Sequence, residues 1–501
     1  RFAGNISFAM RGVSTGRVRR DGLYDSVGFL VDRYNVERFE ILRGPQSLLY
    51  GATNAAGVTN STTKRPNFGT SFLRLGNQLS DSGTVRFTAD ANVSNAIRGV
   101  PFAFRLNAVV SDQRYWRENL RNEVQGGAIA VGLKPSKKVS VRGEFERLRR
   151  SGVASRSRFN LADSTSPFNG RPLTVLLADG NAGSILDGKL TWDNVNSFGG
   201  SSVGDVTDFQ SGSLSADVQL SPWLSAKLQS GLSRIHFMIG FTSTGTGFAA
   251  PTQLGNPTGS WAVSHRPQFN EDLMEQTANR ATLAAKFNVG RWAKHELVFG
   301  AETKFSDEDF MSHGFYEIDA SGNFIVNAAQ RLNANQGRNL IPFLWVPVDQ
   351  DLAGPFTPRT RTITTPDGRT YAYGPARIRN QVAPTPANPF GYSPLSGGSY
   401  RRTNEDSAFV GLFTNWFEGR IDTLLGVRAS KVQTNWVETG KGQSVTGLAS
   451  SFGLVYHVHK AWAAYYNHST SYQPSASLQL DFGDKPVPAS DGIGDEVGVK
   501  L

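Results

Sequence analysis

Two histidines, His457 and His459, stand two positions apart and so share one face of a strand, an acceptable start for a metal centre. No third ligand accompanies them, and a short turn follows at His459-Lys460, so a solvated turn explains them better. Asp307-Glu308-Asp309 opens a polar segment, and Asp319-Ala320-Ser321-Gly322-Asn323 reads as a turn without the ligand spacing of a calcium loop. There is no Gly-x-Ser-x-Gly, phosphate loop, His-Glu-x-x-His or dinucleotide fingerprint. Cys 0 removes disulfides and thiolate metal sites. The expectation is no enzyme, no resident metal and no covalently bound cofactor.

Charge narrows the partners. Lys+Arg 52 against Asp+Glu 42 gives +10, but the only dense basic runs are Arg17–Arg20 and Arg147–Arg150. Charges spread along solvated faces account for that surplus, and no nucleic-acid partner is expected. Nowhere do about 18 consecutive apolar residues occur, so no transmembrane helix is expected. A membrane β-barrel hides its lipid face in every second residue and leaves no such peak.

The elements that must carry these residues fall into two regimes. Residues 1–66 are mixed in pattern, with short apolar runs (Ile41-Leu42, Leu48-Leu49-Tyr50) between Gly turns at Asp21-Gly22 and Arg43-Gly44-Pro45. From Gly69 the period is two. Phe102, Phe104, Leu106, Ala108 and Val110 oppose Ala103, Arg105, Asn107 and Val109. Leu214, Ala216, Val218 and Leu220 oppose Ser213, Ser215, Asp217 and Gln219, and Leu283, Ala285, Phe287 and Val289 oppose Thr282, Ala284, Lys286 and Asn288. Such strands suit a sandwich core or a lipid-facing barrel.

Three features favour the barrel. The strands run about ten residues or more, where sandwich strands run about five or six. Short turns (Pro135-Ser136-Lys137, Ser221-Pro222, Gly290-Arg291-Trp292, Glu418-Gly419, His459-Lys460) alternate with long loops near 151–204, 237–270, 311–400 and 473–491. Aromatics gather near strand ends: Tyr115-Trp116, Trp223, Trp292, Trp416-Phe417, Trp436, Trp462 and Tyr465-Tyr466. Roughly fourteen strands are countable. Arg1 opens inside an apparently structured segment and Leu501 lies within an alternating run, so the chain is expected to continue beyond both.

The stretch Asn35–Pro66, with Val36-Glu37-Arg38-Phe39-Glu40-Ile41-Leu42-Arg43-Gly44-Pro45 and the later Thr63-Lys64-Arg65-Pro66, closely resembles the plug of TonB-dependent outer-membrane receptors. Met10-Arg11-Gly12 and Arg20-Asp21-Gly22 sit where that plug carries its Ile-Arg-Gly and Arg-Asp-Gly signatures. Tyr465–Ser469, Tyr472-Gln473-Pro474 and Asp495–Lys500 look like barrel segments of the siderophore-receptor branch. The resemblance implies an all-β antiparallel transmembrane β-barrel of about 22 strands, incomplete here, with a small α/β plug inside. Residues 1–66 would be the C-terminal part of the plug and 67–501 the barrel. Ala56, Thr59 and Thr62 depart from the family pattern, which has Gly at the first and apolar residues at the others.

The resemblance also assigns roles. Glu37, Arg38, Glu40 and Arg43 match charged positions that tie plug to wall, and Gly44, Pro45, Gly51 and Gly57 match its tight turns. Ligand contacts are expected from Tyr24, Asp25, Ser26, Phe29 and Tyr34 of the plug. In the outer loops they are expected from Arg156, Arg158, Trp261, Tyr316, Tyr371, Tyr373 and Tyr392. The implied activity is TonB-dependent import of a ferric siderophore or similarly scarce nutrient, an iron chelate being the expected cargo. The implied partners are the TonB energy-transducing complex, outer-membrane lipid and a small-molecule ligand. A saccharide or cobalamin receptor with the same plug, or a passive porin or adhesin-like β-protein, are the other readings.

Overall fold

The computed structural model describes residues 9–10, 13–14, 18–26, 32–53, 56–114, 121–152, 205–249, 262–323, 344–347, 362–364, 368–375, 399–437, 440–459, 461–473 and 489–500. Its first part is a small mixed unit. Strands β1 (Ala9–Met10) and β2 (Val13–Ser14) pair with each other. Strands β3 (Val18–Arg20), β4 (Tyr24–Ser26), β5 (Val36–Arg43) and β6 (Gly57–Thr63) form a sheet in the order β4-β3-β6-β5. Only β3 and β6 run parallel, through Arg19↔Asn60 and Arg20↔Ser61. One helical turn, α1 (Ser47–Tyr50), lies between β5 and β6.

Glycine sets the ends of that connection. Gly51 follows α1 with φ +76°, and Gly57 opens β6 with φ +127°, where a Cβ would strike the Leu42 carbonyl oxygen. Gly57→Ala should therefore cost about 1–3 kcal/mol from backbone strain alone; calorimetric unfolding in detergent is the check, and an unchanged transition would contradict it. Thr59 and Thr62, two of the departures from the family pattern, both lie in this strand. All seven residues of β6 are buried, because it is the central strand with β3 and β5 on its two sides. The Thr59 hydroxyl finds no hydrogen-bond partner there.

The wall begins with β7 (Phe72–Leu79), β8 (Val85–Ile97), β9 (Val100–Arg114), β10 (Arg121–Ser136) and β11 (Val139–Gly152). It continues with β12 (Asp205–Ser221), β13 (Leu224–Ala249), β14 (Ala262–Val289) and β15 (Ala293–Ile318). Three short strands follow, β16 (Leu344–Pro347), β17 (Thr362–Thr364) and β18 (Thr370–Pro375). Then come β19 (Ser399–Trp416), β20 (Ile421–Trp436), β21 (Lys441–His459), β22 (Trp462–Gln473) and β23 (Ser490–Lys500). Setting the three short strands aside, fourteen long ones are described, and the strand order is that of a closed barrel. Strand β15 pairs directly with β19 from Ala293↔Trp416 to Phe310↔Ser399. The short β16 and β18 instead join the far ends of β14 and β15.

The parity of each strand decides what the wall faces. On β9, Ala103, Arg105, Asn107 and Val109 are buried while Leu106 and Val110 are exposed. On β12, Ser215 is buried and Leu214 and Leu220 are exposed. Apolar side chains therefore point outward and the polar row inward, which a sandwich would reverse. Trp223, Trp292, Phe417 and Trp462, all beside short turns, are exposed and form one aromatic rim. Trp436 differs from the expected girdle: it is 4% exposed, on the inward parity of β20. The loops expected at 237–270 and 311–400 are also partly strand, since β13 runs on to Ala249, β14 starts at Ala262, β15 runs to Ile318 and β16 to β18 follow it.

Candidate functional site

The small unit is held against the lumenal face of the wall, and the contacts are mostly ionic. Arg20, 1% exposed at the end of β3, pairs with Glu146 of β11, whose carboxylate also accepts from Asn35 Nδ2 at 3.0 Å. Asp32 caps the 3-10 turn Arg33–Asn35 by accepting from the Tyr34 amide at 2.9 Å. The same carboxylate takes both Arg86 nitrogens, at 2.8 and 2.6 Å. Lys64 donates to Asp90 (2.9 Å) and Asn107 (3.1 Å). Arg105 forks onto Asp90 at 2.9 and 2.8 Å and reaches Glu37 at 3.3 Å and the Arg65 carbonyl at 2.8 Å. Thr63 Oγ1 donates to Glu144 at 3.0 Å.

A second grip closes on α1. Its last carbonyls lack intrahelical donors, and cations supply them. Arg280 Nη2 donates to the Gly22 carbonyl at 2.9 Å and the Leu49 carbonyl at 3.4 Å. Lys304 Nζ donates to the Tyr50 carbonyl at 3.5 Å and Arg19 to the same oxygen at 2.9 Å. Behind them lies a buried wall cluster. Glu302 meets Arg280 and Lys304 at 2.5 Å each and Arg428 at 3.6 Å, and Glu405 meets Arg428 at 3.6 Å. Glu405 also accepts the Ala52 amide at 3.1 Å. An added Cβ on Gly51 would run into that carboxylate, so only glycine lets the plug backbone come this close.

One sector is apolar. Tyr34 is 4% exposed and packs with Val109, Val124, Leu148 and Phe209, and its hydroxyl finds no partner. Burial pushes its phenol well above the ordinary tyrosine range.

Of the four charged residues assigned to the latch, Glu37 reaches the wall, through Arg105. Arg38 and Glu40 pair with each other at 2.7 Å, and Glu40 also accepts from Asn60 at 2.8 Å. Arg43 gives its carbonyl to Gln46. Among the turn residues, Gly44 has φ +78°, and Pro45 lies where a Cβ on Gly494 of β23 would come within 2.8 Å. The Asn60 hydrogen bond, then Arg38, holds the Glu40 carboxyl below its ordinary range. Its stabilisation is thus full above the ordinary glutamate pKa and fades as pH falls through the lowered one. The Arg38–Glu40 pair is exposed, so Arg38→Ala should cost less than about 1 kcal/mol by calorimetry.

Of the expected ligand residues, Tyr371 is fully buried and Tyr34 is packed as above. Tyr24, Asp25 and Ser26 lie in β4, Tyr316 in β15 and Tyr373 in β18, where only the backbone is described. Phe29, Arg156, Arg158, Trp261 and Tyr392 lie outside the described residues. His457 bonds Asp422 at 3.0 Å and His459 accepts the Ala461 amide at 3.3 Å.

A barrel that turns its apolar face outward and encloses a polar-bound small sheet is a plugged outer-membrane barrel. Residues 1–58 match the TonB-dependent Receptor Plug Domain family model. The metal-pseudopaline receptor CntO of Pseudomonas aeruginosa is 31% identical over 120 residues, covering 24% of this chain and 17% of that protein. In fold, the chain is similar to the ferric-catecholate import receptor Fiu of E. coli K12 in its closed form. That likeness has a TM-score of 0.71 at 15% identity and covers 99% of this chain and 65% of Fiu. It is also similar to BauA, the ferric preacinetobactin receptor of Acinetobacter baumannii (TM-score 0.69, 14% identity, 100% and 64%). The ferripyoverdine receptor of the Pseudomonas aeruginosa outer membrane matches likewise (TM-score 0.70, 14% identity, 98% and 55%). Residues 1–58 thus match the plug of TonB-dependent receptors, and the chain as a whole has the fold of these plugged barrels. It spans less than two thirds of the length of these relatives.

Proposed function

We propose that the receptor imports a metal chelate across the outer membrane, with energy supplied through TonB. The observation that carries this reading is the way the plug is held. Arg20–Glu146, Asp32–Arg86 and the grip on α1 fix its position through ion pairs and backbone hydrogen bonds. Buried Arg–carboxylate pairs fix geometry with little net stability. A plug so held is positioned firmly yet can be displaced without exposing a large dry core. A passive pore has no use for such a filling. The cargo class rests on the metal-pseudopaline receptor and the ferric-chelate receptors named above. Uptake of radiolabelled iron chelates by cells expressing the receptor, with and without a working energy complex, tests it. Uptake is expected to stop without that complex, and undiminished uptake would refute active import.

A further inference from the structure

Between the 3-10 turn of the plug and the first two wall strands lies a cleft of about 440 Å3. Its floor is the lumenal face of β7 and β8, where Gly76 stands opposite Thr88. Gly76 has no side chain, so the wall is recessed at that level, and a Cβ there would come within 2.7 Å of the Thr88 hydroxyl. To one side of the recess Arg86 is fixed by its fork onto Asp32. To the other side Arg74 stands opposite Asp90, and Arg33 lines the cleft from the plug.

The charges around this recess do not cancel. Asp32 takes Arg86, and Asp90 with Glu37 takes Lys64 and Arg105. Arg33 and Arg74 have no carboxylate partner among the described residues, and Arg74 rests on the Phe72 ring at 4.5 Å. Five cations against three carboxylates leave two positive charges, those of Arg33 and Arg74. A cleft with one sign of excess charge and low-dielectric walls concentrates the opposite ion. Guanidinium forks match the oxygens of carboxylate and phosphate.

We propose that this cleft is a seat for a small oxyanion, phosphate or carboxylate, held between Arg33 of the plug and Arg74 of the wall. The Thr88 hydroxyl, whose only described bond is a long 3.5 Å one to the Gly76 carbonyl, is the further donor. An occupant would join Arg33 of the plug to Arg74 of the wall, beside the direct Asp32–Arg86 pair. The seat follows from the excess charge and the recess, and does not rest on the proposed import. The oxyanion comes either from free solute or from an acidic group of a cargo.

Calorimetric titration of the detergent-solubilised protein at low salt, with inorganic phosphate and separately with ferric citrate, tests the seat. Phosphate should bind, and Arg33→Gln and Arg74→Gln should each weaken it about fivefold, the loss expected for one exposed charge pair. Neither arginine makes an ion pair among the described residues, so both variants should keep the fold. Arg38→Gln, the same charge change elsewhere on the plug, should leave phosphate binding unchanged. Ferric citrate weakened in parallel upholds the seat and assigns it to a cargo's acidic group. Ferric citrate indifferent to both arginines, with phosphate still weakened, upholds it for a free anion. No phosphate binding by the unsubstituted protein, or equal binding by the double variant, overturns it.

Discussion

Glu146→Ala should destabilise the seated plug by about 3–5 kcal/mol, the usual cost of leaving one member of a buried ion pair without the other. Arg20 is 1% exposed and Glu146 4%, so water cannot replace the missing carboxylate. What would remain near the guanidinium are the Phe209 ring, 5.5 Å away, and the charge of Glu144, which makes no ion pair with Arg20. Asn35 would lose its 3.0 Å acceptor as well. Removing both charges in Arg20→Met/Glu146→Leu should recover much of the loss, because a packed apolar pair avoids desolvation altogether. Calorimetric unfolding in detergent, with limited proteolysis of the plug, reads both outcomes. A single variant that loses less than about 1 kcal/mol would place this pair among the surface bridges instead.

A comparable loss, again about 3–5 kcal/mol, is expected for Glu302→Ala, where repulsion among several cations adds to the loss of their partner. Glu302 is the carboxylate on which Arg280, Lys304 and Arg428 converge, at 2.5, 2.5 and 3.6 Å. Without it, Lys304 and Arg428 keep only Glu405 and Arg280 loses its carboxylate, and like charges in a buried site repel strongly. Two of the three, Arg280 and Lys304, are the donors that hold the carbonyls of Leu49 and Tyr50. The plug's helical turn should therefore loosen along with the wall cluster. Proteolytic cleavage between Ser47 and Thr53 should rise, while the wall strands stay protected. Unchanged protection there would separate the cluster from the grip on α1.

The wall was legible because every second residue declares its side: the three alternating segments chosen from sequence all turned their apolar face outward. The plug was legible through its glycine turns and the Glu37–Arg43 strand. The partners of the latch were not. Arg86, Glu146 and Glu302 look like any charged residue on a polar strand face, and nothing local says that a plug lies opposite. The available signal was parity. Glu302 and Lys304 fall on the face opposite Phe299 and Phe305, so they point into the lumen, where a charge needs a partner. Conversely, Arg38 and Glu40 carry the most conspicuous charges of the plug strand yet satisfy one another, because two-residue spacing puts them side by side on one face.

The two-residue period also has a consequence for how such a gene can change length. Losing one codon inside a wall strand, for instance that of Ala301, would invert the segment on one side of the cut. Glu302 and Lys304 would be carried into lipid, or else Leu297 and Phe299 into the lumen. Losing two neighbouring codons shifts the register but returns every side chain to its own face. Within the strands, lineages of this protein should therefore accept length changes in pairs. Odd-numbered insertions and deletions should be confined to the turns and loops.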